Sequence, residues 1–590
     1  MARHSIIDPV DRIEGHLRIE MEVRNGVVTD SWVSGGLFRG LELICEGHTP
    51  TDAVMISQRV CGVCPVSHCH TSVYAAEAAY DIQHPEGARL VRNLVEGAQF
   101  MHSHILWFYQ LSALDYVNPL NALNADPAAA TEVAHSLGLA ERDYQAVYDR
   151  LVKFAENGQY SWLSGGWFME GQAPEAYKLP AEVDLIATAH YIEAIDMQAT
   201  ADEIAGIIGG KMPHIQTSVP GGTSFVPSVE KLDDILFRSQ QLHDWVDEVM
   251  IPDAIAIASV YLDDLLQTDE DGNMLGSNKH GQFIAYGVFD RESREMEDRY
   301  FPAGVAQLTA ATEADEESGT EGTAADATLE SFDGSLMTET TACSYYADDG
   351  EARHPLEGIT VPPNTFPGYY ADEASETVND KYTWSKAPRY NGTPGEVGPL
   401  ARVLVSYLSG VDEIVEGVER VLTGLGLDTS TENIVALNSI LGRLAARPIE
   451  AYAVSGYMVE WCNELAALLA DPPEGNPWFT AKARTTGEGE GFWEAPRGAL
   501  YHCEKIENDK ITHYQSIVPS TWNISPRDEN GTQGTIEQGL LGLPIDNIDA
   551  PINALRMVHG YDPCIACAIH IVEPETGKEF RCQTSPWGGR

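Results

Sequence analysis

The sequence predicts an α+β fold that is mainly helical, with a core of long helices packed as a bundle and β-hairpins at its edge. Three observations carry this. Long stretches place apolar residues at helical spacing; two short regions alternate apolar and polar residues around Asn-containing turns; and 43% of the 590 residues are hydrophobic, enough for a large buried core.

The first element is a hairpin. Leu17, Ile19, Met21 and Val23 alternate, Asn25-Gly26 turns the chain, and Val27-Val28 starts the return. Helical patterns follow over 87–117, 181–209, 229–266, 399–425 and 432–469, with Gly or Pro near most of their ends. The stretch 309–339 is acidic, small and poor in aromatics, so it reads as a solvated insertion or loop. A second hairpin is expected across Asn508-Asp509, from 498–506 and 510–518. No internal repeat and no clear linker divides the chain, which favours one domain.

Composition excludes several classes. No run of about 18 apolar residues is present, so the chain has no membrane span of its own. The start, MARHSIIDPVDRIEGH, has no apolar region of the kind a secretory signal needs. Lys+Arg total 37 against 89 Asp+Glu, a net charge of −52, which rules against a basic nucleic-acid surface. With 11 Lys and 26 Arg, the acid is spread along the whole chain. So large a charge repels itself in dilute buffer, whereas molar salt shortens the Debye length to ~3 Å; this points to a protein of a halophile.

Ten cysteines are present, and four form two CxxC pairs, Cys61/Cys64 and Cys564/Cys567, 500 positions apart. Four soft sulfurs select zinc, nickel, copper or iron–sulfur chemistry over magnesium. A structural zinc site is the plain alternative, but zinc ribbons space their pairs ~15–20 residues apart within one small unit. Joining opposite ends of the chain suits the burial of a reactive metal better.

The flanking residues sharpen this. The first pair lies in Arg59-Val60-Cys61-Gly62-Val63-Cys64-Pro65-Val66-Ser67-His68, the second in Asp562-Pro563-Cys564-Ile565-Ala566-Cys567-Ala568-Ile569-His570. Both stretches closely resemble the paired signatures of the large, catalytic subunit of nickel–iron hydrogenases, most like the respiratory uptake type. The resemblance runs along nearly the whole chain. It takes in Arg12-Ile13-Glu14-Gly15-His16, Phe38-Arg39-Gly40 before Glu42, Lys386-Ala387-Pro388-Arg389-Tyr390, Ala495-Pro496-Arg497-Gly498 and Val518-Pro519-Ser520-Thr521-Trp522-Asn523.

The resemblance implies a ligand set. Cys61, Cys64, Cys564 and Cys567 would bind nickel, with Cys64 and Cys567 bridging to an iron that carries CO and CN ligands. Splitting H2 needs a metal for the hydride and an adjacent base for the proton, and a terminal thiolate such as Cys564 can take that proton. Arg497, beside Pro496, would sit over the metals and hydrogen-bond a cyanide, with the Ser520 hydroxyl serving the other. A guanidinium stays charged when buried, and Asp562 is the expected carboxylate beside it. Glu14 is the expected first proton carrier beyond the thiolates. Glu42, His570 and a backbone carbonyl near Ser516 resemble the family's magnesium ligands. His68 would support a bridging thiolate. One departure stands out: Ser103, between His102 and His104, replaces an acid common in the family. The other six cysteines match no ligand position.

The implied protein is the H2-oxidising subunit of a heterodimer. Lacking further cysteine clusters, it would pass electrons to an iron–sulfur small subunit, and through that to a membrane cytochrome b. It would work at the extracytoplasmic face of the cell membrane, exported with the small subunit; a cytoplasmic uptake or sensory hydrogenase is the alternative. The domain would span 1–570, leaving 571–590 as an extension for a maturation endopeptidase to remove after His570. A non-catalytic scaffold relative is the rival from another class, but such relatives lack the cysteine pairs.

Overall fold

The computed structural model describes residues 3–140, 142–159, 174–269, 272–311, 323–347, 351–362, 381–548 and 550–565. Cys567, His570 and the extension 571–590 therefore lie outside the described residues.

The longest apolar-periodic stretches form the longest helices. Ile440–Ala470 runs through the middle and packs on Glu86–Leu106, Val229–Trp245, Ile251–Leu265, Pro399–Leu408 and Asp412–Gly424, while Ala181–Gly209 covers Glu86–Leu106 from the other side. The central helix is apolar around most of its circumference, as a helix buried on all sides must be. Ala181–Gly209 has the expected bounds. The stretch expected at 87–117 is helical through Leu106 and then loosens into a π-turn over Trp107–Ser112. A second π-turn, Val246–Met250, interrupts the stretch 229–266.

Two expected helices are each two. Between Leu408 and Asp412, Gly410 adopts φ +76°, a left-handed stop that halts the first helix. The stretch 432–469 splits into Thr431–Ala436 and Ile440–Ala470, because Ser439 is extended and caps the second helix through Gly442 N–H.

Both expected hairpins form around left-handed turn residues, Asn25-Gly26 and Asn508-Asp509. Each gains a third strand that the period-two pattern did not reveal: Arg3–Ile7 pairs with Leu17–Arg24, and Gly487–Ala495 pairs with Gly498–Glu507. The stretch 309–339 also departs from expectation. Residues 312–322 lie outside the description, but Asp326–Glu330 pairs with Gly304–Thr309, Met337–Thr340 pairs with Ala387–Tyr390, and Glu339 is buried. Its small acidic residues gave no alternation, because strand pairing rather than burial fixes the exposed strand Asp326–Glu330.

One packing contact positions the chemistry. The helix Pro65–Tyr80, which begins directly after Cys64, lies flat on the strand Gly487–Ala495. Gly487, Gly489 and Gly491 face it in alternation; a Cβ on them would stand 2.3, 2.0 and 2.2 Å from the carbonyl oxygens of Ala79, Ala75 and Thr71. Only glycines permit that approach. The strand ends at Ala495, two residues before Arg497, so the arginine is delivered to the same end of the helix as the cysteine.

Candidate metal centre

The Sγ atoms of Cys61, Cys64 and Cys564 lie within 4.8 Å of one another, and all three side chains are buried. Cys61 Sγ and Cys564 Sγ are 3.4 Å apart, far beyond the ~2.05 Å of a disulfide. Cys61 leaves a short 3-10 turn in extended conformation, and Cys64 is the N-cap residue of Pro65–Tyr80, with Pro65 at its first position. The backbone N–H groups of Val63 and Cys64 both donate to Cys61 Sγ at 3.2 Å. Two donors and the positive end of a helix favour thiolate over thiol at this spacing.

Cys564 arrives from the other end of the chain. Residue 564 bridges Glu14 in parallel register, with Ile565 N–H donating to the Glu14 carbonyl at 2.7 Å. Asp115 ties the two ends together: it accepts from Arg12 at 2.5 Å and pairs with His559 Nδ1 at 2.7 Å, while His559 Nε2 meets the Asp11 carbonyl. Burial works against the Asp115 charge, yet Arg12 and His559 hold its carboxyl well below the usual range. This clamp was not foreseen. The only signal in the sequence was an unexplained Arg12 in the block that holds Glu14.

The Glu14 Oε2 lies 3.4 Å from Cys564 Sγ, so the expected proton carrier and the expected terminal thiolate are in contact. Ser520 Oγ accepts from Cys564 N–H at 2.8 Å, which gives this hydroxyl a backbone to hold. Arg497 is buried, pairs with Asp562 Oδ1 at 3.0 Å and donates to Ser103 Oγ at 3.4 Å; its Nε has no hydrogen-bond partner among the described residues. Burial opposes its charge, but Asp562 and the three cysteines hold it well above the ordinary guanidinium value. Pro496 fixes the turn: its carbonyl and that of Ala495 accept from Arg402, which is itself paired with Glu450 and Glu494. Gly498, at φ +136°, lies against the Gly398 backbone.

Arg447 was also missed. Four residues after Arg443 and three before Glu450 on the central helix, it stacks 3.5 Å over Trp107, and burial pushes it down to about 9 despite Asp562 and Glu450 nearby. Its helical spacing from Arg443 and Glu450 was visible, but a charged residue in an apolar helix carries no sign of what it faces.

Glu42 lies apart from the cage at a small polar cavity. It accepts from Ser516 N–H at 3.3 Å and from the Thr360 hydroxyl at 2.9 Å. Glu339 lines the same cavity with neither carboxylate oxygen hydrogen-bonded among the described residues; burial lifts it to about 6, against the pull of Lys386, 3.6 Å away. The structure thus brings Glu42 and Ser516 together, while His570 lies outside the description. His68 turns its Nδ1 to His502 Nε2 at 3.1 Å, and its Nε2 has no hydrogen-bond partner among the described residues.

Three buried sulfurs beside a carboxylate and a compensated guanidinium fit a soft transition-metal centre. Cys567, three residues after Cys564, has the spacing to add a fourth donor. Fold and site together define a protein with a buried, thiolate-lined centre for a soft metal.

Comparison with known proteins places it further. Residues 39–570 match the nickel-dependent hydrogenase family. The uptake hydrogenase large subunit of Rhizobium leguminosarum bv. viciae is 35% identical over 98% of this chain and 97% of its own, and the hydrogenase-2 large chain of Escherichia coli K12 is 34% identical over 98% of both. The Ni-Fe-Se hydrogenase of Desulfovibrio vulgaris Hildenborough in the reduced state superposes with a TM-score of 0.74 at 30% identity, covering 97% of this chain and 100% of that one. The chain belongs to the nickel-dependent hydrogenase family, as a large, catalytic subunit.

Proposed function

We propose that this chain oxidises H2 reversibly at a nickel–iron centre held by Cys61, Cys64, Cys564 and Cys567, with Glu14 as the first proton carrier. The contact between Cys564 Sγ and Glu14 Oε2 carries this reading, since it joins a metal-ligand atom to a titratable group that can leave with its proton. The metal pair, when bound, supplies the site at which H2 is split and its two electrons are taken up. The Cys564 sulfur receives the proton and hands it to Glu14 across that contact. Arg497, pinned to Asp562, keeps a positive charge over the cage without competing for the proton, because a guanidinium is a poor acceptor. Burial of all three cysteines excludes bulk water from the exchange.

The finer assignments follow the same pattern. CO and CN ligands on the iron would meet Arg497 and Ser520. Magnesium would take Glu42, His570 and the backbone near Ser516, a hard cation suited to oxygen donors. An iron–sulfur small subunit would carry the electrons onward to a membrane cytochrome b, with the pair at the extracytoplasmic face. A maturation endopeptidase would cut after His570 once nickel is in place; the intact mass of active enzyme would then end at His570, and active enzyme still carrying Arg590 refutes the cut.

Metal analysis of the purified complex tests the core of the proposal. Nickel together with iron, the iron in excess because of the small subunit's clusters, supports it; zinc alone, or no metal, overturns it. Cys64→Ser or Cys567→Ser should abolish H2 oxidation and lower bound nickel, because a hydroxyl is a poor soft-metal ligand. Full activity with normal nickel in either variant would refute the ligand assignment.

A further inference from the structure

The helix Pro65–Tyr80 starts without help from its own N-cap residue. Cys64 stands at the N-cap, where a side chain ordinarily accepts from the backbone N–H two or three residues on. The Cys64 side chain makes no such bond and belongs to the cysteine cage instead. Pro65 has no N–H to satisfy, and the Val63 and Cys64 N–H groups are both taken by Cys61 Sγ. Val66 N–H, one of the two donors that a cap side chain would meet, goes elsewhere: it donates at 2.8 Å to Gln99 Oε1 on the helix Glu86–Leu106. The cap comes from a neighbouring helix.

The Gln99 amide is itself held one way round. Its Nε2 donates to Ser67 Oγ at 2.5 Å and to Glu96 Oε1 at 3.1 Å, while the Ser67 hydroxyl donates to Glu96 Oε1 at 2.5 Å. A flipped amide would set its oxygen against a carboxylate oxygen, so only this orientation satisfies all the groups. Glu96 is fixed in turn: its Oε2 accepts from His70 Nδ1 at 2.7 Å, and His70 Nε2 meets the Ser218 hydroxyl at 3.0 Å. Burial lowers His70 against the pull of Glu96, which keeps the ring neutral, with one donor and one acceptor for these two contacts. Gln99, Glu96, Ser67 and His70 are all fully buried, so bulk water does not compete for Val66 N–H.

We propose that Gln99, oriented by Glu96, is a positioning residue for Cys64: by capping the helix from outside, it leaves the Cys64 sulfur for the metals. The proposal rests on the hydrogenase reading, in which Cys64 bridges nickel and iron. A chain with cysteine at the N-cap gives up Ser, Thr, Asn and Asp, the residues that cap best, and the amide of Gln99 makes good that loss. Without it a buried N–H would lose its acceptor, and the Cys64 sulfur stands at the sequence distance from which N-cap side chains accept. A thiolate turned toward that N–H is both displaced and weakened as a metal donor. Gln99 therefore acts through the first turn of the helix, not on the metals themselves.

Variants of the holoenzyme test this. Gln99→Met keeps the side-chain length and removes the amide. The exchanged pair Glu96→Gln/Gln99→Glu keeps an acceptor for every donor: a carboxylate at 99 accepts from Val66 N–H and the Ser67 hydroxyl, and the amide oxygen at 96 accepts from His70. Ser218→Ala cuts the far end of the network and leaves the cap in place. In Gln99→Met, amide hydrogen exchange over residues 64–70 should quicken about tenfold, bound nickel should fall, and the infrared CO and CN bands of the iron should move. The exchanged pair and Ser218→Ala should keep parental bands and nickel. Parental bands and nickel in a folded Gln99→Met overturn the proposal, as does a band shift in Ser218→Ala as large as that in Gln99→Met, since general loosening of the network would then suffice. Should Gln99→Met not fold, the exchanged pair decides: parental bands support the cap, and shifted bands, lost nickel or loss of folding overturn it. A parent complex without nickel overturns the hydrogenase reading, and hydrogen exchange, which needs no metal, still decides whether Gln99 caps the helix.

Discussion

Glu14 and Cys564 are joined twice: their backbones pair in parallel, and the Glu14 carboxylate sits 3.4 Å from the Cys564 sulfur. The backbone pairing matters as much as the contact, because it fixes the root of a side chain that must rotate to pass a proton on. Glu14→Gln keeps the size and the hydrogen bond but cannot carry a proton. H2 oxidation should fall by about 10²–10⁴-fold while nickel and iron contents stay at the parental level. Parental hydrogen–deuterium exchange in this variant would remove Glu14 from the path.

The clamp that creates this pairing is Asp115. Asp115→Asn leaves the half-buried Arg12 and the buried His559 with one negative charge fewer between them. Loss of one partner from a buried charged network costs about 3–5 kcal/mol. The variant should unfold at lower denaturant concentration and retain less nickel, since the N-terminal loop and Cys564 would no longer be held in register. Unchanged stability with unchanged nickel would show that the strands pair without the clamp.

Stability should depend on pH through two opposed sets of acids. Asp115 and Glu77 are held below the ordinary range, in spite of burial, by Arg12 and His559 and by Arg92 and His84 respectively, so their contribution is present above about pH 5 and lost on acidification. Burial raises Glu494 and Glu537 to about 7 and Glu504 to about 8, so folding retains protons that the unfolded chain releases. Their contribution is full below the ordinary carboxylate value and is lost as pH rises through 7 to 8. Melting temperature should therefore fall between about pH 5 and pH 8, level off above that, and fall less steeply in Glu504→Gln. Equal slopes in parent and variant would place Glu504 in contact with water.

Salt should act in the opposite sense to its effect on most ion-paired proteins. With a net charge of −52, self-repulsion dominates at low ionic strength, and screening relieves it. Melting temperature should climb steadily from ~0.1 to ~2 M KCl. A flat profile would contradict adaptation to high salt.

Much of the chemistry was legible because it is local. A CxxC pair puts two sulfurs on one turn wherever the turn is found, and the blocks around Cys61, Cys564, Arg497 and Glu14 are short enough to be read as units. The long helices were legible for the same reason, since helical period is a property of neighbouring residues. Their interruptions were less so. Gly410 was visible but 399–425 was still expected as one helix, and the extended Ser439 that splits 432–469 resembles any other serine until its hydroxyl is seen to cap Gly442.

Sequence alone determined which residue types could bind a metal, move a proton and carry a buried positive charge. Tertiary structure decided which of them meet. Cys61 and Cys564, 503 positions apart, come within 3.4 Å because Asp115 binds both ends of the chain and three alternating glycines let the helix behind Cys64 settle onto the strand that leads to Arg497. Glu504, Glu339 and Arg447 look like ordinary surface charges in the sequence. Their buried positions follow from which face of a strand or helix is covered, a property of packing between distant segments that no local pattern encodes.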